Sequence, residues 1–371
     1  MGQRAGAMES MGIAMTGFGN IYKDKTILVT GHTGFKGSWL SIWLSELGAN
    51  VIGYSLDPYT EKDNFVLSGL KDKIIDIRGD IRDSEKLEQV FKEYKPEYVF
   101  HLAAQPLVRL SYDKPKETYE VNVMGTLNIL ECIRKCEATK YGILITTDKV
   151  YENKEQLWGY RENDPMGGYD PYSSSKGCCE LLISSWRNSF FNIQDYKKHQ
   201  KAIVSVRAGN VVGGGDWAND RIIPDCIRAI ESGNEIEIRS PKSIRPWEHV
   251  LEPLSGYLLL GQKLTENPVK YSEGWNFGPK LDSIITVWEV AQKVVKFYGQ
   301  GNVIDRSDVK NVHEAKLLAL DISKAKFKLG WNPTLNIEDT LELTVDWYKR
   351  YKNENVYELC VEQIKTFLKK S

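Results

Sequence analysis

The feature that most constrains this chain is a glycine turn set between a strand and a helix. Thr26–Thr30 (TILVT) is a short run rich in β-branched residues. Gly31-His32-Thr33-Gly34-Phe35-Lys36-Gly37 follows at once, and a helical pattern then runs through Leu47. Glycines let a chain turn sharply and let its backbone approach a pyrophosphate, while the start of a helix offers unpaired amides to an anion. The spacing is GxxGxxG rather than GxGxxG, and a glycine triplet alone is also what a tight structural turn would carry. The strand before it, the helix after it and a second strand at Val51–Leu56 make it the opening of a dinucleotide-binding unit. Gly31, Gly34, Phe35, Lys36 and Gly37 are therefore expected to cradle the dinucleotide.

Further apolar runs follow at Lys73–Gly79, Tyr98–Ala103, Tyr141–Thr147 and Ala202–Val206. Between them lie amphipathic stretches: one capped by Asp83 and running through Tyr94, a long one from about Pro115 to Lys135, and one opened by Asp170-Pro171. Strands alternating with helices of this length predict right-handed crossovers and a doubly wound parallel sheet of the Rossmann type. Beyond Val206 the regularity weakens to a short strand at Glu235–Arg239 and helices near Leu254–Leu264, Val287–Tyr298 and Ile337–Tyr351. Thr286 and Glu289 stand in capping-box spacing before the second of these helices. The expected organisation is a tail over 1–20, a dinucleotide-binding unit over 21–206 and a smaller α/β substrate-binding lobe over 207–371, partly interleaved with it.

A formal net charge of −1 gives no sign of nucleic acid or an anionic membrane as partner. The most apolar late stretch, Tyr257–Leu260, is far too short to span a bilayer. The six cysteines have neither disulfide-framework nor zinc spacing, so no metal is expected and a reduced, cytoplasmic setting is. Cys132 and Cys136, one helical turn apart, read as small apolar residues on a helix.

The second chemical signal is Tyr172-Ser173-Ser174-Ser175-Lys176. A Tyr and a Lys four apart share one helix face, and an ammonium close to a phenol favours the phenolate. A tyrosine tuned in that way can take the proton of a substrate alcohol while hydride leaves its carbon. The fifth strand ends Thr146-Thr147-Asp148-Lys149, where a hydroxyl at Thr147 can bond the same alcohol. On the nucleotide side, the second strand ends with Ser55 at the position where an acidic residue usually holds the adenosine ribose, and Asp57 comes two residues later. NAD is favoured as cofactor, although Lys36 could also meet the extra phosphate of NADP. Asp80 and Ile81 fall where an adenine ring could be read, and Asp80 is equally a turn residue.

GxxGxxG, His101-Leu102-Ala103-Ala104-Gln105, Thr147-Asp148 and YxxxK together resemble the extended short-chain dehydrogenase/reductase superfamily over roughly residues 24–350. An Asp directly after that Thr is similar to the nucleotide-sugar 4,6-dehydratases. Those enzymes oxidise C4 of the sugar, eliminate water across C5 and C6 and return the hydride to C6. The resemblance implies Asp148 as the acid for the departing C6 oxygen. In the dTDP- and GDP-sugar enzymes the next residue is a Glu base, whereas here it is Lys149. That departure resembles the CDP-glucose 4,6-dehydratases, as do Gly159–Glu162, Gly168–Gly177, Arg207–Asn210, Gly213–Trp217, Asp220-Arg221 and Ile244–Val250. CDP-glucose is the expected substrate. Lys149 is either a base with a depressed pKa or a cation beside the enolate oxygen.

The resemblance also places Leu102, Ala103, Ala104, Tyr172 and Lys176 against the cofactor, and Asn210 and Arg221 against the sugar and the diphosphate. A guanidinium fork suits phosphate oxygens, which singles out Arg245. Trp217 could cover the base or belong to the core. Gln105 and Arg109 face the crevice by topology, and His101 reads as structural. A homodimer through the helices at 115–135 and 171–191 is expected. An epimerase or reductase on this scaffold would use Tyr172 and Lys176 without needing Asp148 and Lys149. A non-catalytic dinucleotide sensor would need none of the four.

Overall fold

The computed structural model describes residues 17–307 and 318–371. Twelve strands occur among them: β1 (Thr26–Thr30), β2 (Asn50–Ser55), β3 (Ile75–Arg78), β4 (Tyr98–His101), β5 (Tyr141–Ile145), β6 (Ala202–Ala208), β7 (Asn210–Val212), β8 (Ile236–Ile238), β9 (Ile244–His249), β10 (Gly274–Phe277), β11 (Ile284–Thr286) and β12 (Val303–Asp305). Seven of them form one sheet in the order β10-β6-β5-β4-β1-β2-β3, with every pairing parallel. The order reverses between β1 and β4, the place where a doubly wound sheet opens a crevice at the carboxyl ends of its strands. β4 and β6 are buried along their whole length, as a sheet covered on both faces requires.

The six expected strands are the first six observed, each ending within a few residues of its expected bound. The seventh, β10, was not foreseen. It comes from the C-terminal half and pairs with β6. Gly274–Phe277 is a four-residue segment whose apolar Trp275 and Phe277 alternate with Gly and Asn, too short a pattern to read as a sheet member. Two small sheets, β11-β9-β7 and β12-β8, lie outside the main one.

Side-chain caps set several helix starts. The Asp83 carboxylate accepts from the Lys86 amide at 3.0 Å, and Asp170 accepts from the Ser173 amide at 2.9 Å. Thr286 and Glu289 form the reciprocal capping box before Val287–Tyr298. The expected long helix from 115 to 135 divides into Pro115–Tyr119, a π-helical segment Glu120–Met124 and Gly125–Lys135. Helices Ile222–Ser232 and Val356–Lys370 escaped the sequence reading; the former carries Pro224 in its first turn. Val356–Lys370 packs on Phe35–Glu46, with Trp43 edge-on to Phe367 at 6.0 Å. Of the tail expected over 1–20, residues 1–16 lie outside the described residues, and Phe18 sets its ring edge-on to Tyr22 and Trp43. No helix among the described residues is long and apolar enough to cross a membrane.

One buried ion pair joins the parts. Arg207 at the end of β6 donates through Nε and Nη2 to Glu180 of helix Pro171–Ser189 at 2.9 and 2.8 Å. Thr146 and Ser205 donate to the same carboxylate at 2.5 and 2.7 Å. Burial alone would push the Glu180 carboxyl up, but Arg207 and the two hydroxyls outweigh it and hold it below the usual carboxylate range. Arg207→Met leaves this anion buried without its cation and should cost about 3–5 kcal/mol in urea unfolding. Because the folded pKa is depressed, the stabilisation is present above the ordinary carboxylate value. It is lost as pH falls through the folded value, so wild-type unfolding measured down through the acid range should steepen there and Glu180→Gln should flatten it.

Candidate active site

The glycine turn is built by close approach. Gly31 has φ of +75°, and a Cβ on it would lie 2.8 Å from the Ala103 amide nitrogen. The turn thus packs on the segment after β4, bringing Gly31 together with Leu102 and Ala103. A Cβ on Gly37 would lie 2.0 Å from the Gly31 carbonyl oxygen. Helix Phe35–Glu46 begins at Gly34 without a side-chain cap, so its first amides are open to an anion. This is the backbone cradle a dinucleotide pyrophosphate needs.

Ser55 ends β2 beside this turn, its hydroxyl 2.8 Å from that of Thr33. Asp57 points outward toward Arg78 at 3.6 Å. Asp80 is engaged by Arg82 through its amide and guanidinium, and Ile81 is buried against Gly125. Asp80 is thus fixed at the end of β3 by Arg82. Lys36, which could also meet the extra phosphate of NADP, is pushed down by burial and influenced by Glu248, Arg221, Asp148 and Lys176.

The structure brings Thr147, Asp148, Tyr172 and Lys176 together. The Thr147 hydroxyl donates to Asp148 Oδ1 at 3.0 Å and lies close enough to the Tyr172 phenol to favour its ionised form. Lys149 follows in a 3-10 turn, its amide 3.4 Å from Thr147 Oγ1. Lys176 Nζ donates to the Ile145 carbonyl at 3.3 Å. Burial pushes the Asp148 carboxyl up, against the lowering effect of Lys149, Thr147, Arg245 and Lys36. Such a carboxyl retains a proton to give.

The phenol corrects one expectation. Lys176 was expected to lower Tyr172, yet burial pushes it up to about 12, with Thr147 and Arg221 as the groups pulling it down. Lys176 is itself lowered by burial.

The substrate-side residues divide. Arg221 is half-buried, bonds Asp216 at 2.8 Å and lies close enough to bias Tyr172 and Lys36. Arg245 biases Asp148, and Asn210 opens β7 opposite Trp247 of β9. Arg109 lies at the surface, 3.4 Å from Asp220.

Gln105 does not present its amide to the crevice: the side chain bonds Leu107 and Thr118 and holds its own loop. Trp217 belongs to the core, edge-on to Tyr348 and Tyr351 at 5.2 and 5.6 Å. His101 bonds Thr30 and Thr126, and burial drives its pKa down to about 3, which keeps it neutral and structural.

Sequence reasoning missed the residue that ties the two long helices together. Asn122, in the π-helical segment, donates to Ser175 Oγ at 2.9 Å and to the Gln105 carbonyl at 3.2 Å. Ser175 in turn donates to the Tyr172 carbonyl at 2.7 Å. An Asn inside an amphipathic stretch carries no sequence signal for this.

Known proteins resemble this chain over most of its length. A family profile described as GDP-mannose 4,6 dehydratase matches residues 28–344. A CDP-glucose 4,6-dehydratase of Salmonella typhimurium is 52% identical over 332 residues, covering 90% of this chain and 92% of that protein. Among solved structures, a UDP-glucose 4-epimerase of Thermotoga maritima with UDP-glucose superposes with a TM-score of 0.74 at 25% identity, covering 88% of this chain and 100% of that one. A dTDP-glucose 4,6-dehydratase of Bacillus anthracis in complex with NAD gives 0.71 at 23% identity, covering 91% and 99%.

Gly37→Ala places a methyl group 2.0 Å from the Gly31 oxygen, so the turn cannot close as built. We expect a loss of about 1–3 kcal/mol in thermal or urea unfolding, while Gly233→Ala, with open space around its Cβ position, changes only its own left-handed residue.

Proposed function

The chain belongs to the GDP-mannose 4,6 dehydratase family, and on that premise we propose that it is a hydro-lyase converting CDP-glucose to CDP-4-keto-6-deoxyglucose and water, with NAD as its internally recycled cofactor. The observation that carries this reading is the buried Asp148 carboxyl, bonded to the Thr147 hydroxyl that lies beside Tyr172. An epimerase needs the tyrosine but has no leaving oxygen to protonate. The 52% identity to a CDP-glucose 4,6-dehydratase supports the substrate.

The turn of Gly31, Gly34 and Gly37, the uncapped helix start and Ser55 would hold the dinucleotide, with Leu102 and Ala103 beneath it. Bound there, NAD would accept the hydride from C4 and return it at C6. Tyr172 removes the C4 hydroxyl proton, with Thr147 and Arg221 favouring the phenolate. The C4 carbonyl so formed acidifies C5. Lys149, half-buried beside Asp148, takes the C5 proton or stabilises the enolate oxygen, and Asp148 protonates the departing C6 oxygen. Arg221 and Arg245 flank this cluster and suit the diphosphate.

The reading extends to a cytoplasmic homodimer packed through the helical stretches 115–135 and 171–191, which expose Met124, Leu181 and Phe190. Residues 21–206 serve as the dinucleotide-binding unit and 207–371 as the substrate lobe, with β10 returned to the first.

The test is incubation of the purified protein with CDP-glucose, with and without NAD, following sugar-nucleotide mass. Loss of one water without net NADH supports the reading. Reaction of dTDP- or GDP-sugars alone sinks the nucleotide assignment, and inertness toward all of them sinks the enzyme. Asp148→Asn, which keeps the Thr147 contact but has no proton to give, should slow water loss roughly 10²–10⁴-fold, while Trp217→Phe should leave it within a few-fold.

A further inference from the structure

His101 ends β4, and its ring is 2% exposed. Nδ1 lies 2.8 Å from the Thr30 hydroxyl at the end of β1, and Nε2 lies 3.1 Å from the Thr126 hydroxyl. Thr30 and Thr126 are buried as well. None of these groups can borrow a partner from bulk water, so their protons must be placed among themselves.

The two ends of this chain set the direction of every bond within it. The Asn122 carbonyl oxygen can only accept, and the Thr126 hydroxyl lies 2.7 Å from it, so the single Thr126 proton points there. Cys179 Sγ reaches the same carbonyl at 3.1 Å, and a carbonyl has lone pairs for both. The Thr126 oxygen is then left to accept, which puts the ring proton of His101 on Nε2. The opposite tautomer would leave the Thr126 and Asn122 oxygens 2.7 Å apart with no proton between them. Burial, which drives the ring's pKa down to about 3, excludes the doubly protonated form near neutral pH. Nδ1 therefore accepts from Thr30, whose oxygen in turn accepts from the Ala103 amide at 3.2 Å. The bonds run head to tail from the Ala103 amide through Thr30, His101 and Thr126 to the Asn122 carbonyl, an order in which each polarises the next.

Both ends of this relay bear on the reacting groups. A Cβ on Gly31 would stand 2.8 Å from the Ala103 amide nitrogen, so Ala103 lies against the glycine turn that would carry the dinucleotide. Asn122 donates through Nδ2 to Ser175, which holds the Tyr172 carbonyl, and its Oδ1 accepts from the Gln105 amide at 2.8 Å. Hydrogen bonds tolerate little change in length. The buried relay is thus a fixed spacer between the cradle of the cofactor and the helix of the phenol.

We infer that His101, as its Nε2–H tautomer, is a positioning residue that sets the spacing between the dinucleotide cradle and Tyr172. That spacing governs the step in which the C4 hydride passes to NAD while the C4 hydroxyl proton passes to Tyr172. The tautomer stands on the contacts alone, and its consequence for turnover rests on the dehydratase reading.

Two measurements test this. The first needs neither substrate nor cofactor: NMR of the protein labelled with 15N at its five histidines, the His101 signals being those that shift in Thr126→Ser. We expect a neutral ring protonated at Nε2, with that N–H protected from exchange. A ring protonated at Nδ1, or at both nitrogens, near neutral pH overturns the relay.

The second compares Thr126→Val, which removes the hydroxyl, with Thr126→Ser, which keeps it. With CDP-glucose and NAD, kcat of folded Thr126→Val should fall roughly 10- to 100-fold while KM stays within about twofold, and Thr126→Ser should recover most of the loss. Wild-type kcat in Thr126→Val, or a loss that Thr126→Ser shares in full, overturns the positioning role. If Thr126→Val does not fold, Thr30→Val cuts the relay at its other end and is judged by the same split against Thr30→Ser. A wild type that releases no water from any nucleotide sugar removes the dehydratase reading and this role together, and the NMR result then decides the tautomer by itself.

Discussion

The ion pair between Glu180 and Arg207 holds the candidate site in register. Tyr172, Lys176 and Glu180 share one helix, and Glu180 is fixed by Arg207 and Ser205 of β6 and by Thr146 just past β5. Thr146 immediately precedes Thr147 and Asp148, so the anchor of the helix and the anchor of the loop are the same carboxylate. Arg207 continues outward, donating to the Glu162 carbonyl and to the Tyr151 hydroxyl, which bonds Asn276 of β10. Two strands, a helix, a loop and the late seventh strand all converge on one buried charge pair. Such a pair adds little net stability over a well-packed apolar equivalent; what it supplies is a single allowed geometry.

Within the site, burial sets the protonation states more strongly than any neighbouring charge. It raises Asp148, Glu248 and Tyr172 and lowers Lys36 and Lys176. The ionisable groups are thus pushed toward their neutral forms. For a carboxyl that must donate a proton this is the useful direction. For a phenol that must lose one it is adverse, so Thr147 and Arg221 carry a larger share of the work than the familiar lysine four residues along the helix.

Features set by local chemistry were legible in the sequence. The glycine turn, the caps at Asp83, Asp170 and Thr286 and the first six strands each depend on residues close in the chain. So did the grouping of Thr147, Asp148, Tyr172 and Lys176, because the end of β5 and the helix after it are adjacent in a doubly wound sheet. What escaped depends on distant partners. β10 is short and gains its place only by pairing with β6. Helix Val356–Lys370 finds its partner in Phe35–Glu46, more than three hundred residues earlier. Gln105 and Trp217 have the chemistry of ligand contacts, and the structure uses one to hold a loop and the other to fill a core. Topology could place Gln105 near the crevice, but only the positions of Leu107 and Thr118 decide where its amide points.

The membership of β10 in the main sheet has a consequence for the order in which the chain can mature. As the chain emerges from its N-terminus, β1 to β6 can pair as soon as residue 208 is free. The outer edge of β6 then presents unpaired backbone groups, and the Tyr151 hydroxyl bonded by Arg207 still lacks Asn276. An unprotected apolar strand edge is a template for pairing with other chains. That edge stays open until residues 274–277 arrive, some sixty-six residues later. The nascent protein therefore carries this open edge through the synthesis of the first part of the second lobe, and a chain arrested in that interval would keep it exposed.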